Sequence, residues 1–324
     1  MRRLRRFSIT NKSDLIYAKI EISHYISDRH QKELYAFAVM ELGSNILKHS
    51  QSNGEIWLLE RQGLVALAVC DRGKGIGNIE LACQKGYSTY EQSSLGIGLS
   101  ALSAIDGYMF SIVSSTKKEI HGTVVFFGPN VPKDQTEWLS LSFDENYNGD
   151  FTLRKGRLFA FGDVAGHGLK ASTTVAAITT FFERHCHSIL MINDFFNSLH
   201  RYIIDTNLRC CDLVIGAVDA ALVTFSGIGN ISAWKLVDEK FYHYPLRSGS
   251  IGAHYSKPLT VEFDLTATSS LILTSDGVLK EKFNLLNTKM FIDEPVAALC
   301  ATLYFCGSLS DDASIIHITH KGIV

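Results

Sequence analysis

The stretch Gly162-Asp163-Val164-Ala165-Gly166-His167-Gly168 lies between two different sequence patterns. Before it, Leu158-Phe159-Ala160-Phe161 is a short apolar run that reads as a buried strand. After it, residues 169–182 read as a helix. An aspartate therefore ends a strand, and three glycines carry the chain through a tight turn. Glycine adopts positive φ and lets the backbone approach a ligand closely. A carboxylate beside an exposed carbonyl offers the hard oxygen donors that Mg2+ and Mn2+ prefer. The same residues also suit a plain strand-to-helix turn with Asp163 as the helix cap.

Three further acidic points occupy comparable places. Asn148-Gly149-Asp150-Phe151 turns into the strand that precedes the opening stretch. Leu271-Ile272-Leu273-Thr274 ends in Ser275-Asp276-Gly277. Ser310-Asp311-Asp312-Ala313-Ser314 leads into an apolar alternation over 315–319. Between them the pattern predicts strands near 139–143, 213–225, 231–237, 241–244 and 259–263, a helix over about 169–188 and another from about 193. Four separate solvated turns would account for the acids. If they converge instead, each like pair about 4 Å apart costs about 4 kcal/mol at an effective dielectric near 20. Divalent cations would then be needed to hold them together.

In this order and spacing the set resembles the SpoIIE-type branch of the metal-dependent (PPM, type 2C) serine/threonine phosphatases, over residues 138–324, and within it the compact RsbX type. That resemblance implies an αββα sandwich. It implies that Asp163 bridges two Mn2+ or Mg2+ ions and that the Val164 carbonyl adds a ligand. Asp276 and Asp311 would bind one metal, with Asp312 as the alternative to Asp311, and Asp150 would hold a metal-bound water. Asp163 and Asp276 are thus the expected catalytic acids. His167 would orient a water or support the turn. Asn148 stands where many relatives have a second glycine.

The first half carries its own series of boxes. Residues 29–50 are helical in pattern, and Glu41 and Asn45 lie one turn apart on one side. A hairpin is predicted from 55–59 and 64–70, with Arg61-Gln62-Gly63 in its turn. It ends in Asp71-Arg72-Gly73-Lys74-Gly75-Ile76, again an acid after a buried strand. Gly86-Tyr87-Ser88-Thr89 and Leu95-Gly96-Ile97-Gly98-Leu99 follow, then strands at 110–115 and 122–127 with Thr123 opening the last. A glycine-rich loop at a helix N-terminus presents free N–H groups to phosphate.

This order resembles the GHKL (Bergerat-fold) ATPase/kinase superfamily, and within it the RsbT-type serine/threonine kinases, over residues 1–130. The resemblance implies an α/β sandwich that binds ATP. Asn45 would hold Mg2+ on the phosphates and Glu41 would activate the attacking hydroxyl. Asp71 would accept the adenine amino group, Gly73 and Gly75 would let the loop pass the base, Gly96 and Gly98 would cradle phosphate, and Thr123 would support the adenine end.

The chain has 324 residues, 46% hydrophobic and 20% charged, with a formal net charge of -2. That is room for two domains, and the charge argues against a nucleic-acid platform. No apolar run approaches membrane-span length. The basic cluster Arg2, Arg3, Arg5, Arg6 reads as a solvated first strand, and seven scattered cysteines suit a reducing cytoplasm. The proline-bearing segment 128–137 reads as the join. The two resemblances together imply one chain that phosphorylates and dephosphorylates serine or threonine of STAS-domain proteins of the RsbS/RsbR type, with a downstream phosphatase or regulator as a further partner. The alternative is a phosphatase whose first half is a nucleotide-binding, partner-binding or anti-sigma module.

Overall fold

The computed structural model describes residues 1–49, 53–87, 97–132, 134–143, 147–308 and 310–320. The chain forms two compact units, Met1–Lys133 with Glu281–Cys306, and Asp134–Lys280 with Gly307–Val324. No helix among the described residues is long and apolar enough to cross a membrane.

The first unit begins with β1 (Arg2–Ile9), α1 (Lys12–Ser23), α2 (Arg29–His49), β2 (Gly54–Arg61) and β3 (Leu64–Asp71). It continues through α3 (Ile79–Ala82), α4 (Gly98–Ser103), β4 (Tyr108–Ser115) and β5 (Gly122–Pro129). Its strands pair antiparallel in the order β1-β2-β3-β5-β4. The β2–β3 turn is tight because Gln62 and Gly63 both take positive φ, 52° and 79°, the geometry that matches strand twist in a two-residue hairpin. Asn11 starts α1 through a capping box, accepting from the Asp14 N–H while the Asp14 side chain accepts from the Asn11 N–H. Ile56, Leu58, Leu67, Val69, Val125 and Phe127 point from the sheet into a core with Leu15, Ala18, Ala38, Leu42 and Ile46 of α1 and α2. The intervening residues Trp57, Leu59, Ala68, Cys70, Val124 and Phe126 are buried as well. A sheet apolar on both faces needs cover on both.

The second unit contains β6 (Thr136–Leu141), β7 (Asp150–Lys155), β8 (Leu158–Val164), α5 (Leu169–His185), α6 (Ile192–Asp205) and β9 (Cys211–Asp219). There follow β10 (Leu222–Ile228), β11 (Ser232–Val237), β12 (Lys240–Tyr244), β13 (Thr260–Asp264), β14 (Ser269–Thr274) and β15 (Ala313–Thr319). One sheet runs β13-β10-β9-β8-β7, and the strands β12-β11-β14-β15-β6 pair in that order. Phe159, Phe161, Val214, Phe225, Leu271 and Ile316 fill one core of this unit. Ala160, Ile215, Ile178, Phe182, Phe196 and Leu199 fill another, beneath α5 and α6. The expected strand over 213–225 is a hairpin instead, because the chain reverses at Ala220, φ 52°.

Between β14 and β15 the chain forms α7 (Lys280–Phe283), α8 (Met290–Asp293) and α9 (Pro295–Cys306). Within the second unit the long helices α5 and α6 lie on one core. By contacts Glu281–Cys306 groups with the first unit and not with the rest of 138–324. The reason is composition. α9 is apolar on all sides and almost wholly buried, so it needs surroundings on every face. It packs on β3, β4 and β5, and Tyr304 meets Trp57 edge-on at 5.9 Å. It thereby covers the sheet face that α1 and α2 leave bare.

Candidate functional site

The register of three strands makes the acidic centre. Asp163 near the end of β8 lies opposite Asp150 on β7 and opposite Asp212 on β9. Like charges directly across a ladder are destabilising, and here three stand in a row. Burial, then Asp150 and Asp276, push the Asp163 carboxyl up to about 10, with a hydrogen bond to Asp276 and the charge of Asp311 adding to the shift. Asp150 is pushed up to about 7, chiefly by burial, with Asp312 and Asp276 contributing. Its Oδ2 accepts from Ser275 Oγ at 2.8 Å, while its buried Oδ1 has no hydrogen-bond partner.

Local backbone geometry explains the surrounding residues. Gly149 lies so close to the loop that a Cβ there would stand 3.1 Å from the carbonyl oxygens of Val164 and Gly166. Asn148 does not disturb this turn. Its Oδ1 accepts from the Asp150 N–H at 2.9 Å, and its Nδ2 donates to Ser140 Oγ at 2.6 Å. Gly166 has φ 76°, and Arg209 occupies the space a side chain there would need. Arg209 Nη1 donates to the Ala165 carbonyl at 2.7 Å. His167 is exposed and packs edge-on against Phe143 at 5.9 Å.

Asp311 and Asp312 separate into two roles. Asp312 is buried, and its oxygens accept from the N–H groups of Phe143 and Gly149, both at 2.6 Å. Burial raises its pKa against those two bonds. Asp311 is exposed and near enough to Asp163 to affect its charge. Among the described residues, no group of three or more His, Cys, Asp or Glu is already drawn together tightly enough to hold an ion. Asp163 and Asp276 share a hydrogen bond, which requires a proton on one of the two carboxyls.

Asp212 is the residue that sequence reading missed. Its oxygens accept from Ser250 Oγ and the Asn230 N–H, each at 2.6 Å, and burial raises its pKa, with Asp276 adding. Asn230 Nδ2 in turn reaches Asp276 Oδ2 at 3.5 Å. The reading looked for acids at strand ends. In an antiparallel pair, the start of one strand lies beside the end of the other, so Cys211-Asp212 at the start of β9 was an equivalent signal.

In the first unit the boxes fall into two sets. Glu41 on α2 meets α4, where Glu41 Oε2 lies 2.2 Å from the place a Cβ on Gly98 would take. Asn45 is one turn further along α2, half-buried. Asp71 ends β3 opposite Thr123 on β5. Asp71 Oδ1 accepts from the Gly73 N–H at 2.6 Å, and burial raises its pKa. Thr123 Oγ1 and Ser114 Oγ are 2.9 Å apart, and Ser114 Oγ accepts from the Ile76 N–H at 2.7 Å. Gly75, φ 76°, passes so close to the Ser115 carbonyl that no other residue fits. Gly96, with the rest of 88–96, lies outside the described residues.

No curated protein sequence matches the chain. Among solved structures, one described as "The bacterial stressosome: a modular system that has been adapted to control secondary messenger signaling" is 18% identical. It covers 56% of this chain and 97% of its own, TM-score 0.47. The SiaA-PP2C domain of Pseudomonas aeruginosa is 19% identical, covering 58% and 86%, TM-score 0.45. RsbX in complex with magnesium is 16% identical, covering 58% and 97%, TM-score 0.44. The model of the stage II sporulation protein E family matches residues 154–321, a span that includes Asp163, Asp212, Asp276, Asp311 and Asp312. Over more than half its length, the chain belongs to the stage II sporulation protein E (SpoIIE) family, and residues 154–321 carry a phosphatase domain of that type.

Proposed function

We propose that the second unit hydrolyses phosphoserine and phosphothreonine in proteins with the help of two Mn2+ or Mg2+ ions. The row Asp150–Asp163–Asp212 across three adjacent strands carries this reading. Buried carboxylates in such a row must bind protons or cations, and an all-oxygen donor set suits hard divalent ions. Asp163, Asp276, Asp311 and the Val164 carbonyl would hold the ions. Bound there, such ions supply a hydroxide at neutral pH and polarise a phosphoryl oxygen. Asp150 keeps Oδ1 free to accept a proton from a water, with Oδ2 fixed by Ser275. Asp312 is a strut that holds the Gly149 turn under the loop carbonyls.

The first unit is read as an ATP site. Asp71 accepts the adenine amino group beside Thr123, Gly73 and Gly75 pass the base, and Gly96 and Gly98 approach the phosphates. Asn45 takes Mg2+ and Glu41 acts as base. The chain then writes and erases one phosphate mark on a STAS-domain partner in the cytoplasm. A second reading makes this unit a nucleotide-responsive regulator of the phosphatase, and the docking of Glu281–Cys306 within it favours that reading.

The test incubates the full chain with labelled ATP, Mg2+, Mn2+ and a STAS-domain protein, comparing wild type with Asp276→Asn. Label that accumulates on the partner only in the variant supports opposed kinase and phosphatase. No label in either, with a pre-phosphorylated partner still stripped by wild type, supports phosphatase and regulator. Failure to strip it, with Mn2+ present, overturns the phosphatase reading.

A further inference from the structure

The segment Glu281–Cys306 leaves the second unit just after Asp276 and returns just before Asp311. Its two ends meet in a narrow neck. Val278 pairs with Gly307, and the Ser308 N–H donates to the Gly277 carbonyl at 2.7 Å. Gly277 lies so close to Asp312 that a Cβ would stand 1.8 Å from the Asp312 carbonyl oxygen. A pull on the segment is therefore delivered to the residues bearing Asp276 and Asp311.

The part of the segment that leads back into the neck is held by the boxes of the first unit. Arg72, between Asp71 and Gly73, donates to the Tyr304 carbonyl. Its guanidinium stacks over the rings of Tyr304 at 4.7 Å and Phe305 at 5.5 Å. The Phe305 ring also lies 3.1 Å from where a Cβ on Gly122 would be, next to Thr123. Ser111 donates to Glu294, and Lys117 donates to the Leu285 carbonyl. The last turn of α9 thus touches both backbone stretches that carry Asp71 and Thr123.

We propose that Arg72 is a positioning residue that couples adenine-nucleotide binding in the first unit to metal binding at Asp276 and Asp311, through α9 and the neck. The inference rests on the nucleotide-site reading given above. A nucleotide held by Asp71 and Thr123 orders the 71–73 loop, which fixes Arg72 on the last turn of α9 and steadies the neck. Metal affinity rises as a result. Such coupling is reciprocal, since each ligand must strengthen the other by one factor.

The test uses the full chain at fixed free Mg2+ and buffered free Mn2+. Binding of a fluorescent ADP analogue is measured directly, and Mn2+ binding is measured by titration calorimetry with and without saturating ADP. ADP rather than ATP excludes phosphoryl transfer. In wild type ADP is expected to tighten Mn2+ binding about fivefold, a usual size for such coupling. Without Mn2+, Arg72→Ala should bind the ADP analogue within about twofold of wild type, yet ADP should no longer shift its Mn2+ binding. Arg72→Lys keeps the charge but not the planar stack, so it should show a reduced shift and serves if the alanine variant does not fold. ADP binding without any shift in wild type overturns the coupling and leaves the nucleotide reading standing. An equal shift in wild type and both variants overturns the role of Arg72. Absence of ADP binding removes the nucleotide reading and the inference with it.

Discussion

Two strands in this molecule end in the same way and meet different neighbours. β3 ends at Asp71 and turns through Gly73, and β8 reaches Asp163 and turns through Gly166. Opposite Asp71 stands the hydroxyl of Thr123. Opposite Asp163 stand two more carboxylates, Asp150 and Asp212. One aspartate is thus placed among neutral hydrogen-bonding groups, and the other among charges that call for a cation. The acid–glycine pattern is common to both turns, and the cross-strand neighbours set them apart.

Removing the central charge should break the comparison most sharply. Asp163→Asn is expected to lower kcat/KM on a phosphoserine peptide by roughly 10³ or more, as loss of a metal ligand would, while ADP-analogue affinity measured without Mn2+ stays unchanged. A fall of less than tenfold would mean that Asp163 does not serve the metals. Asp71→Asn should do the reverse. It should weaken ADP binding by roughly 10- to 100-fold, the usual cost of a charged hydrogen bond, and spare hydrolysis measured without nucleotide.

Proton linkage gives a third contrast. Asp150 and Asp163 have folded-state pKa values raised to about 7 and about 10. A carboxyl raised in this way keeps its proton in the folded state where the unfolded chain has lost it. Folding then binds protons, and stability falls as pH rises from about 4 through these values. The metal-free chain should therefore melt several degrees lower, roughly, at pH 8 than at pH 5. Mn2+ should remove most of that difference. A melting temperature that is flat or rising with pH in the presence of chelator would count against a shared acidic centre. The smallest effect is expected from Asp212→Asn, which removes one charge from the row but can still accept hydrogen bonds from Ser250 and Asn230. It should raise the melting temperature of the metal-free chain by about 1–3 °C at pH 8. It should also raise the Mn2+ needed for half-maximal hydrolysis by about threefold.

What the sequence disclosed follows from which signals are local. The α2 pattern, the 62–63 turn and the acid–glycine turns are all contained within a few residues, and all appear in the structure. The β9–β10 reversal at Ala220 was not legible, because Ala220 and Ala221 carry no turn chemistry. α9 escaped because an all-apolar helix has no amphipathic period to detect. Its grouping with the first unit depends on a bare sheet face more than 150 residues earlier in the chain, which contiguity in sequence does not disclose. The resemblance favours Asp311 over Asp312 as a ligand; that Asp312 is the one that accepts from the Phe143 and Gly149 N–H groups depends on the fold, and two adjacent identical residues give no clue to that.

The return of α9 to the first unit has a consequence for anyone who divides the chain. A cut at the proline-bearing join looks harmless in sequence. A fragment ending there would leave Trp57, Ala68, Cys70 and Phe126 without the helix packed on their strands. The complementary fragment would carry an entirely apolar helix with nowhere to bury it. Both pieces would present the kind of large greasy surface that drives self-association. Separate expression would therefore yield two sticky products, and mixing them, or making them together in one cell, is the route by which a split form of this protein could be made soluble.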